Sequence, residues 1–155
     1  MTDTANIAPG TKAPDFTLQS SDGDTISLAD YAGSRLVLYF YPKDDTPGCT
    51  NEARDFSALS DAFSAKGARI LGVSRDTVAK HLKFIAKHEL TIPLGADEDG
   101  TVCEAYGVWV EKKMYGKTYM GIERATFLIG VDGTVEEVWR KVKVKGHAQA
   151  VLDRL

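Results

Sequence analysis

Apolar runs separated by segments of helical spacing are the main pattern in this chain. Residues 36–41 are apolar without interruption, as a central strand buried on both faces of a sheet requires. Residues 68–74 predict a second buried strand, and residues 92–94 are a shorter strand candidate. Strands that alternate with helices predict an α/β domain with parallel pairing in its sheet.

Four segments carry apolar residues at helical spacing, and each of them predicts a helix. The first begins close to Cys49 and ends at Gly67, with apolar positions at Ala53, Phe56, Leu59 and Phe63. The second is capped at residues 76–77, and its apolar face consists of Val78, Leu82 and Ile85. A short third helix passes through residues 102–106. The apolar face of the fourth consists of Ala148, Val151, Leu152 and Leu155.

An Asp-Gly pair at residues 22–23 lies between two short strand candidates, residues 16–18 and 25–28. Asp-Gly favours the two-residue turns that join antiparallel strands. The chain is therefore expected to begin with an N-terminal hairpin.

A second Asp-Gly pair, residues 132–133, joins residues 125–131 to residues 135–142 and adds antiparallel strands. Lysines alternate with valines at the end of this hairpin, which predicts the exposed face of an edge strand: Lys141, Lys143 and Lys145. The complete pattern predicts a central mixed sheet flanked by helices.

Composition fits one globular domain over residues 1–155, with 43% hydrophobic and 26% charged residues. The net charge of −3 gives no support for nucleic-acid binding. Residues 1–12 lack the apolar core of a secretory signal, and no stretch approaches the ~20 apolar residues of a membrane span. Two cysteines do not make a disulfide scaffold, so the reducing cytoplasm is the expected location.

Cys49 lies where the first helical pattern begins, after the buried run 36–41 and a loop punctuated by proline and glycine. A cysteine in this place meets the unpaired N–H groups and the positive dipole end of the helix. Both favour a thiolate over a thiol. A reactive sulfur is therefore one interpretation of Cys49, and an ordinary small core residue is the other.

The residues before Cys49 have the spacing Pro42-x-x-x-Thr46-x-x-Cys49. This spacing resembles the active-site signature of the peroxiredoxins, cysteine-dependent peroxidases with a thioredoxin-like fold. The longer string PKDDTPGCTNEARDF is similar to the peroxiredoxin Q group, also called bacterioferritin comigratory protein. Arg124 lies in a second matching string, Gly-Ile-Glu-Arg-Ala-Thr-Phe. The resemblance extends over residues 10–155.

The resemblance implies a site that reduces hydrogen peroxide and small organic hydroperoxides. Cys49 is the implied nucleophile, and Arg124 is expected to hold a positive charge beside the sulfur and to donate to the peroxide. Thr46 is expected to bond through its hydroxyl to sulfur or peroxide, with capping of the helix as the other role. Pro42 is expected to shape a dry pocket. Glu52 is expected to orient Arg124, with a solvated helix position as the alternative.

The recycling step is where this chain departs from the family. Many peroxiredoxin Q proteins hold a resolving cysteine at one of two positions, which are Arg54 and Ile85 here. Cys103 remains, with a buried structural thiol as its expected role and a resolving cysteine as the alternative. The chain favours a one-cysteine cycle in which an external thiol, such as thioredoxin, attacks the sulfenate of Cys49.

Two other functions compete with a peroxidase. A disulfide oxidoreductase of thioredoxin type uses a Cys-x-x-Cys pair, and Thr46 occupies the position of its first cysteine. A peroxide sensor that relays oxidation to a partner shares the reactive Cys49. No cofactor is implied, and His81 and His88 lack the third ligand of a metal site. A monomer is expected.

The three histidines, His81, His88 and His147, are predicted to lie on the surface. Residues 111–122 are rich in lysine, tyrosine, methionine and glycine, and they are predicted to form a mobile loop near the site. Neither prediction assigns these residues a part in the chemistry.

Overall fold

A seven-stranded mixed sheet forms the centre of the computed structural model, which describes residues 7–155. The strands are β1 Thr17–Ser20, β2 Thr25–Ser27, β3 Arg35–Phe40, β4 Ala68–Ser74, β5 Leu94–Ala96, β6 Trp109–Met114, β7 Lys117–Ile122, β8 Ala125–Ile129 and β9 Val135–Trp139. Their order in the sheet is β2-β1-β5-β4-β3-β8-β9, while β6 and β7 pair separately. Strand β3 is parallel to β4 and antiparallel to β8. The predicted mixed sheet and N-terminal hairpin are confirmed.

Helices cover the sheet on both faces: α1 Pro47–Ala58, α2 Ser60–Ala65, α3 Val78–His88, α4 Thr101–Ala105 and α5 His147–Arg154. The prediction of one helix between Cys49 and Gly67 is wrong, because the backbone leaves helical geometry at Leu59 (φ −99°, ψ 3°). The hydroxyl of Ser60, which starts α2, donates to the carbonyl of Ser57 across this bend. Among the helices of residues 7–155, none is long and apolar enough to reach across a bilayer.

Two apolar clusters lie on opposite faces of the sheet, because successive side chains of a strand point to opposite faces. In β3, Leu36, Leu38 and Phe40 belong to the first cluster, whereas Val37 and Tyr39 belong to the second. Residues of α4 pack into the first cluster, and residues of α1, α2, α3 and α5 pack into the second. The chain between β3 and α1 therefore leaves the sheet towards the second face.

Residues 111–122 lie in the β6–β7 hairpin, so the prediction of an irregular loop is wrong, while their predicted place near the site is supported by the groove that they share with Pro42. The turn is formed by Tyr115 and Gly116, whose φ values of 52° and 76° are both positive. Positive φ at both central residues is the geometry of a tight two-residue hairpin turn. The Tyr-Gly pair was the available signal, and it is weaker than Asn-Gly or Asp-Gly.

The prediction of a strand over residues 135–142 is too long, because β9 ends at Trp139. Lys141 has a φ of 48°, which no extended strand accommodates. Lys141, Lys143 and Lys145 therefore lie in a connecting segment and not on an edge strand.

The surface prediction is wrong for two histidines. His81 is fully buried and His147 is 6% exposed, while His88 is only partly exposed. His81 occupies the inward position on α3 that the apolar pattern assigned to Leu82, whose side chain is 50% exposed. Hydrogen bonds at both ring nitrogens of His81, and at Nε2 of His147, offset the free-energy cost of burying these polar rings.

Candidate active site

Cys49 lies in the first turn of α1. Its side chain is 1% exposed and belongs to the second apolar cluster. The first hydrogen bond within α1 runs from the N–H of Thr50 to the carbonyl of Thr46. The N–H groups of Gly48 and Cys49 therefore have no acceptor within the helix, and together with the helix dipole they create positive potential beside the sulfur.

Arg124 approaches the sulfur from the neighbouring strand. Strand β8 is antiparallel to β3 with Ala125 opposite Phe40, so residue 124 lies beside the start of the loop that leads to α1. Its Nη2 donates to Sγ of Cys49 over 3.4 Å, and a guanidinium at this distance stabilises negative charge on the sulfur. A Cβ at Gly48 would lie 3.2 Å from this Nη2, so glycine there gives the guanidinium room.

Glu52 fixes the other side of the guanidinium. Its Oε1 accepts a hydrogen bond from Nη1 of Arg124 over 2.6 Å, and the Glu52 side chain is 1% exposed. Burial raises the pKa of Glu52 to about 7, although the charge and hydrogen bond of Arg124 oppose this shift. Arg124 is thus held between a carboxylate and a sulfur, both of which belong to α1.

The hydroxyl of Thr46 donates to the carbonyl of Lys43 over 2.8 Å and does not cap α1. Thr46 does stand at the N-cap position, and Pro47 is the first helical residue, a position that proline favours. Because the hydroxyl proton is engaged with Lys43, the oxygen has lone pairs left to accept a hydrogen bond from an incoming O–H group. The side-chain capping role is therefore contradicted.

Pro42 borders an open groove of about 480 Å³ beside the β6–β7 hairpin. Basic, aromatic and aliphatic side chains line it, among them Lys43, Arg75, Trp109, Lys112 and Tyr119. Burial and then the charge of Arg124 lower the pKa of Lys112, while Cys49 opposes the shift. The sequence does not identify Lys112 as a residue beside the site, because its segment lacks a clear strand pattern.

Cys103 lies on the opposite face of the sheet, fully buried in α4. It belongs to the first apolar cluster, whereas Cys49 belongs to the second. Burial, followed by the neighbouring Asp97 carboxylate, raises the pKa of the Cys103 thiol. Both cysteines are free. The structure thus brings the other five predicted site residues to the C-terminal end of β3 and leaves Cys103 apart from them.

No metal site accompanies this arrangement in the described part of the chain, since no three His, Cys, Asp or Glu side chains converge there. His81, which the sequence places on the surface, lies instead in a buried polar cluster beneath residues 42–46. Its spacing from that loop along the chain carries no recognisable signal, so only the fold brings the two together.

His147 is a second buried ionisable group near Arg124. Its Nε2 lies 2.7 Å from the hydroxyl of Thr126, the second residue of β8. Burial, and then the charge of Arg124, lowers the pKa of His147 from 6.5 to about 4. A protonated imidazole would thus be unfavourable behind the site.

Opposite pH dependences of stability are expected from Glu52 and His147. Between pH 4.5 and about 7, folded protein keeps the Glu52 proton that the unfolded chain releases, so this group makes stability fall as pH rises. Between pH 6.5 and about 4, the unfolded chain binds a His147 proton that folded protein excludes, so this group makes stability fall as pH drops. The two effects offset each other near pH 5–6.

Variants at either residue should expose the other dependence. We expect the free energy of unfolding of Glu52→Gln to rise with pH between 4.5 and 6.5 more steeply than that of the wild type. For His147→Gln we expect a shallower rise, or a fall. Urea unfolding at pH 5, 6 and 7 measures these slopes, and unchanged slopes in both variants would refute the assignment.

Comparisons of the sequence with known proteins agree with the resemblance to the peroxiredoxins. The family model described as AhpC/TSA family matches residues 9–138. Peroxiredoxin Bcp of Bacillus subtilis is 51% identical over 149 residues, which are 96% of this chain and 95% of the relative. Peroxiredoxin Bcp of Xanthomonas campestris is 53% identical over 141 residues, which are 91% of this chain and 88% of the relative.

Solved structures of similar proteins share the fold. The bacterioferritin comigratory protein of Xanthomonas campestris, solved in work on its alkyl peroxide reduction activity, superposes with a TM-score of 0.86 at 52% identity, covering 90% of this chain and 88% of that one. A mutant of peroxiredoxin Q from Xylella fastidiosa superposes with a TM-score of 0.92 at 43% identity, covering 96% of this chain and 95% of that one. The expected thioredoxin-like arrangement of sheet and helices is thereby confirmed.

Proposed function

Since the chain belongs to the AhpC/TSA family and is a thiol-dependent peroxidase of the peroxiredoxin Q group, we propose that Cys49 reduces hydrogen peroxide and small organic hydroperoxides. The observation that carries this proposal is the shared guanidinium of Arg124, with Nη1 on Glu52 and Nη2 on the sulfur of Cys49. The reaction of an alkyl peroxide with a similar protein supports the inclusion of organic substrates.

The chemical step is a displacement at oxygen. The thiolate of Cys49 attacks one peroxide oxygen, the O–O bond breaks, and the electron pair of that bond leaves with the second oxygen as hydroxide or alkoxide. The sulfur is oxidised to a sulfenic acid, and the leaving oxygen takes up a proton to give water or an alcohol. Arg124 stabilises the charge that moves from sulfur to the leaving oxygen. Stabilisation of this kind by fixed donors is usually the largest single contribution to catalysis.

Residues around the start of α1 orient the peroxide. The Thr46 oxygen, whose own proton is held by Lys43, accepts from the peroxide O–H and so aligns the O–O bond with the sulfur. The N–H groups of Gly48 and Cys49 are donors for the oxygens. Pro42 contributes no N–H that would compete for them.

Thr46→Val should slow the reaction with peroxide while leaving the fold intact. The volume is nearly unchanged, but the aligning acceptor is lost, so we expect a decrease of roughly tenfold or more in the second-order rate constant. Loss of the hydrogen bond to Lys43 should cost about 1 kcal/mol of stability. Rapid mixing with peroxide, beside a melting curve, measures both. A normal rate constant in a destabilised variant would leave Thr46 with a structural role alone.

We propose a one-cysteine cycle for the return to the thiol. A disulfide needs Cα atoms roughly 4.4–6.8 Å apart, and Cys49 and Cys103 lie in clusters on opposite faces of the sheet. An external thiol, with thioredoxin as the proposed reductant, then attacks the sulfenic acid and releases water. A second thiol reduces the mixed disulfide that results. We further propose that the protein works as a monomer in the reducing cytoplasm.

Peroxide consumption in the steady state, with thioredoxin and its reductase supplied, tests the proposal against its competitors. A peroxidase consumes peroxide over many turnovers, and Cys49→Ser consumes none. A sensor would be oxidised once and show little turnover. An oxidoreductase of thioredoxin type would reduce a protein disulfide, such as that of insulin, without peroxide.

A further inference from the structure

A buried polar cluster fastens the loop of residues 42–46 to helix α3. The carboxylate of Asp44 accepts from the hydroxyl of Tyr41 at Oδ1 and lies 2.7 Å from Nδ1 of His81 at Oδ2. Nε2 of His81 lies 2.9 Å from the carbonyl oxygen of Gly95 in β5. Tyr41, Asp44 and His81 are 1%, 8% and 0% exposed. Residues from β3's end, the loop, α3 and β5 thus meet in one water-excluded place.

The partners of His81 decide which of its nitrogens carry protons. A carbonyl oxygen can only accept, so Nε2 of His81 donates to Gly95. Nδ1 of His81 faces a carboxylate oxygen of Asp44 over 2.7 Å, and a carboxylate oxygen likewise accepts hydrogen bonds. Because both partners are acceptor oxygens, the geometry favours a His81 ring that donates through both nitrogens, with the bond to Asp44 in a buried site.

The backbone of the same loop residue is held as well. The N–H of Asp44 donates to Oδ2 of Asp76 over 2.8 Å, and the hydroxyl of Ser74 donates to the same oxygen. Asp76 is 8% exposed and precedes α3. The side chain and the N–H of Asp44 are thus both fixed by neighbouring elements. The hydroxyl of Thr46 in turn donates to the carbonyl of Lys43, the residue that precedes Asp44.

A weaker contact outside the cluster has the same partners. Asp45, which has a φ of 61°, accepts from Nζ of Lys87 and lies 2.8 Å from Nε2 of His88 at the end of α3. Both the Asp45 and the Lys87 side chains are largely exposed. The His88 side chain is 17% exposed, but the Asp45 carboxylate that both partners contact is 42% exposed and is screened by solvent. The buried Asp44–His81 pair is therefore the principal contact that holds the loop.

We propose that His81 is a positioning residue for peroxide reduction, which holds the 42–46 loop through the bond from its Nδ1 to Asp44 and so places the Thr46 hydroxyl beside Cys49. The proposal rests on the proposed function of that loop. Alignment of the reacting atoms is sensitive to displacements of about 1 Å. A loop released from α3 would therefore keep Cys49 and Arg124 but misplace the acceptor that aligns the peroxide.

Two substitutions at His81 separate this role from general stability. The amide nitrogen of asparagine lies where Nδ1 of histidine lies, so His81→Asn keeps a donor for Asp44 and loses the bond to Gly95. The amide nitrogen of glutamine lies where Nε2 lies, so His81→Gln keeps the bond to Gly95 and releases the loop. Each variant loses one buried hydrogen bond, and both are expected to be less stable than the wild type. His88→Gln is the matched control, because it leaves the Asp44–His81 bond intact and alters the contacts of His88 with Asp45 and with the Phe84 ring.

The second-order rate constant with hydrogen peroxide should fall by roughly tenfold to a hundredfold in His81→Gln. His81→Asn should recover most of that loss, and His88→Gln should remain close to the wild type. Equal rate constants in the two His81 variants, or a faster reaction in His81→Gln, would overturn the proposal. An unchanged rate in Thr46→Val would instead indicate that the function proposed for the loop has failed, whatever His81 does.

The imidazole of the wild-type protein provides a measurement that needs no variant to fold. Nitrogen-15 NMR of the labelled full chain at pH 7 should show protons on both ring nitrogens of His81, with the Nδ1 proton far downfield because of its bond to Asp44. A ring without a proton on Nδ1 would contradict the proposal even if both substitutions prevented folding.

Discussion

Arg124→Met should slow the reaction of Cys49 with hydrogen peroxide by about 10²–10³-fold, the usual cost of removing one donor that acts on transition-state charge. Nη2 of Arg124 lies 3.4 Å from the sulfur in this structure, so the guanidinium both stabilises the thiolate and faces the charge that leaves with the second oxygen. Methionine fills much of the same space without a donor. The loss should therefore appear in the rate constant for oxidation and not in the recycling of the enzyme.

The fold should survive this substitution. Removal of Arg124 leaves the buried carboxylate of Glu52 without its partner, but the pKa of Glu52 is raised to about 7 by burial, so the group can take up a proton at pH 6. Arg35→Met is the matched control, because Arg35 pairs with Glu136 at the opposite end of β3 and that pair is about one-third exposed. Rapid mixing at pH 6–8, with melting curves for both variants, measures the two effects. Equal rate constants for Arg124→Met and Arg35→Met would place Arg124 outside the chemistry.

Excess peroxide should inactivate the enzyme by driving Cys49 to the sulfinic acid, and Cys103→Ser should not change this sensitivity. No cysteine stands at Arg54 or Ile85, and Cys103 is buried on the other face of the sheet. Without an internal partner, the sulfenic acid persists until an external thiol arrives. A second peroxide then oxidises it to a state that most proteins cannot reverse.

Peptide mapping after exposure to a range of peroxide concentrations, in the wild type and in Cys103→Ser, measures this sensitivity. Turnover with a supplied thiol reductant is followed in the same samples. Equal yields of the Cys49 sulfinic acid and equal turnover are expected. A Cys49–Cys103 disulfide in the wild type, with turnover lost in Cys103→Ser, would overturn the one-cysteine cycle and leave the peroxidase itself in place.

Local patterns predict most of the fold because they report local physics. The uninterrupted apolar run of residues 36–41 identifies the central strand, since a strand covered on both faces has no polar side to show. The two Asp-Gly pairs predict both hairpins of the main sheet. The position of Cys49 at the start of a helix follows in the same way. The residues proposed to act with Cys49, above all the distant Arg124, come from the family resemblance and not from any local pattern.

The remaining errors concern groups whose environment is set by distant parts of the chain. His81 is buried because Asp44, 37 positions away, and Gly95 satisfy its ring, and helical spacing alone assigns the inward position to Leu82. Whether Cys103 can reach Cys49 depends on which face of the sheet each occupies, which the number of residues between them does not reveal. The β6–β7 hairpin lacks the usual turn residues, so its strands resemble a polar loop.

The central claim is that the sulfur of Cys49 accepts an oxygen atom from the peroxide. Intact-mass spectrometry after one equivalent of hydrogen peroxide tests this claim most directly. Cys103→Ser should gain one oxygen within the mixing time of a rapid-quench experiment, and Cys49→Ser should gain none on that timescale. Treatment with a thiol should return the first variant to its starting mass. Oxygen gained by Cys49→Ser as fast as by Cys103→Ser would contradict the account.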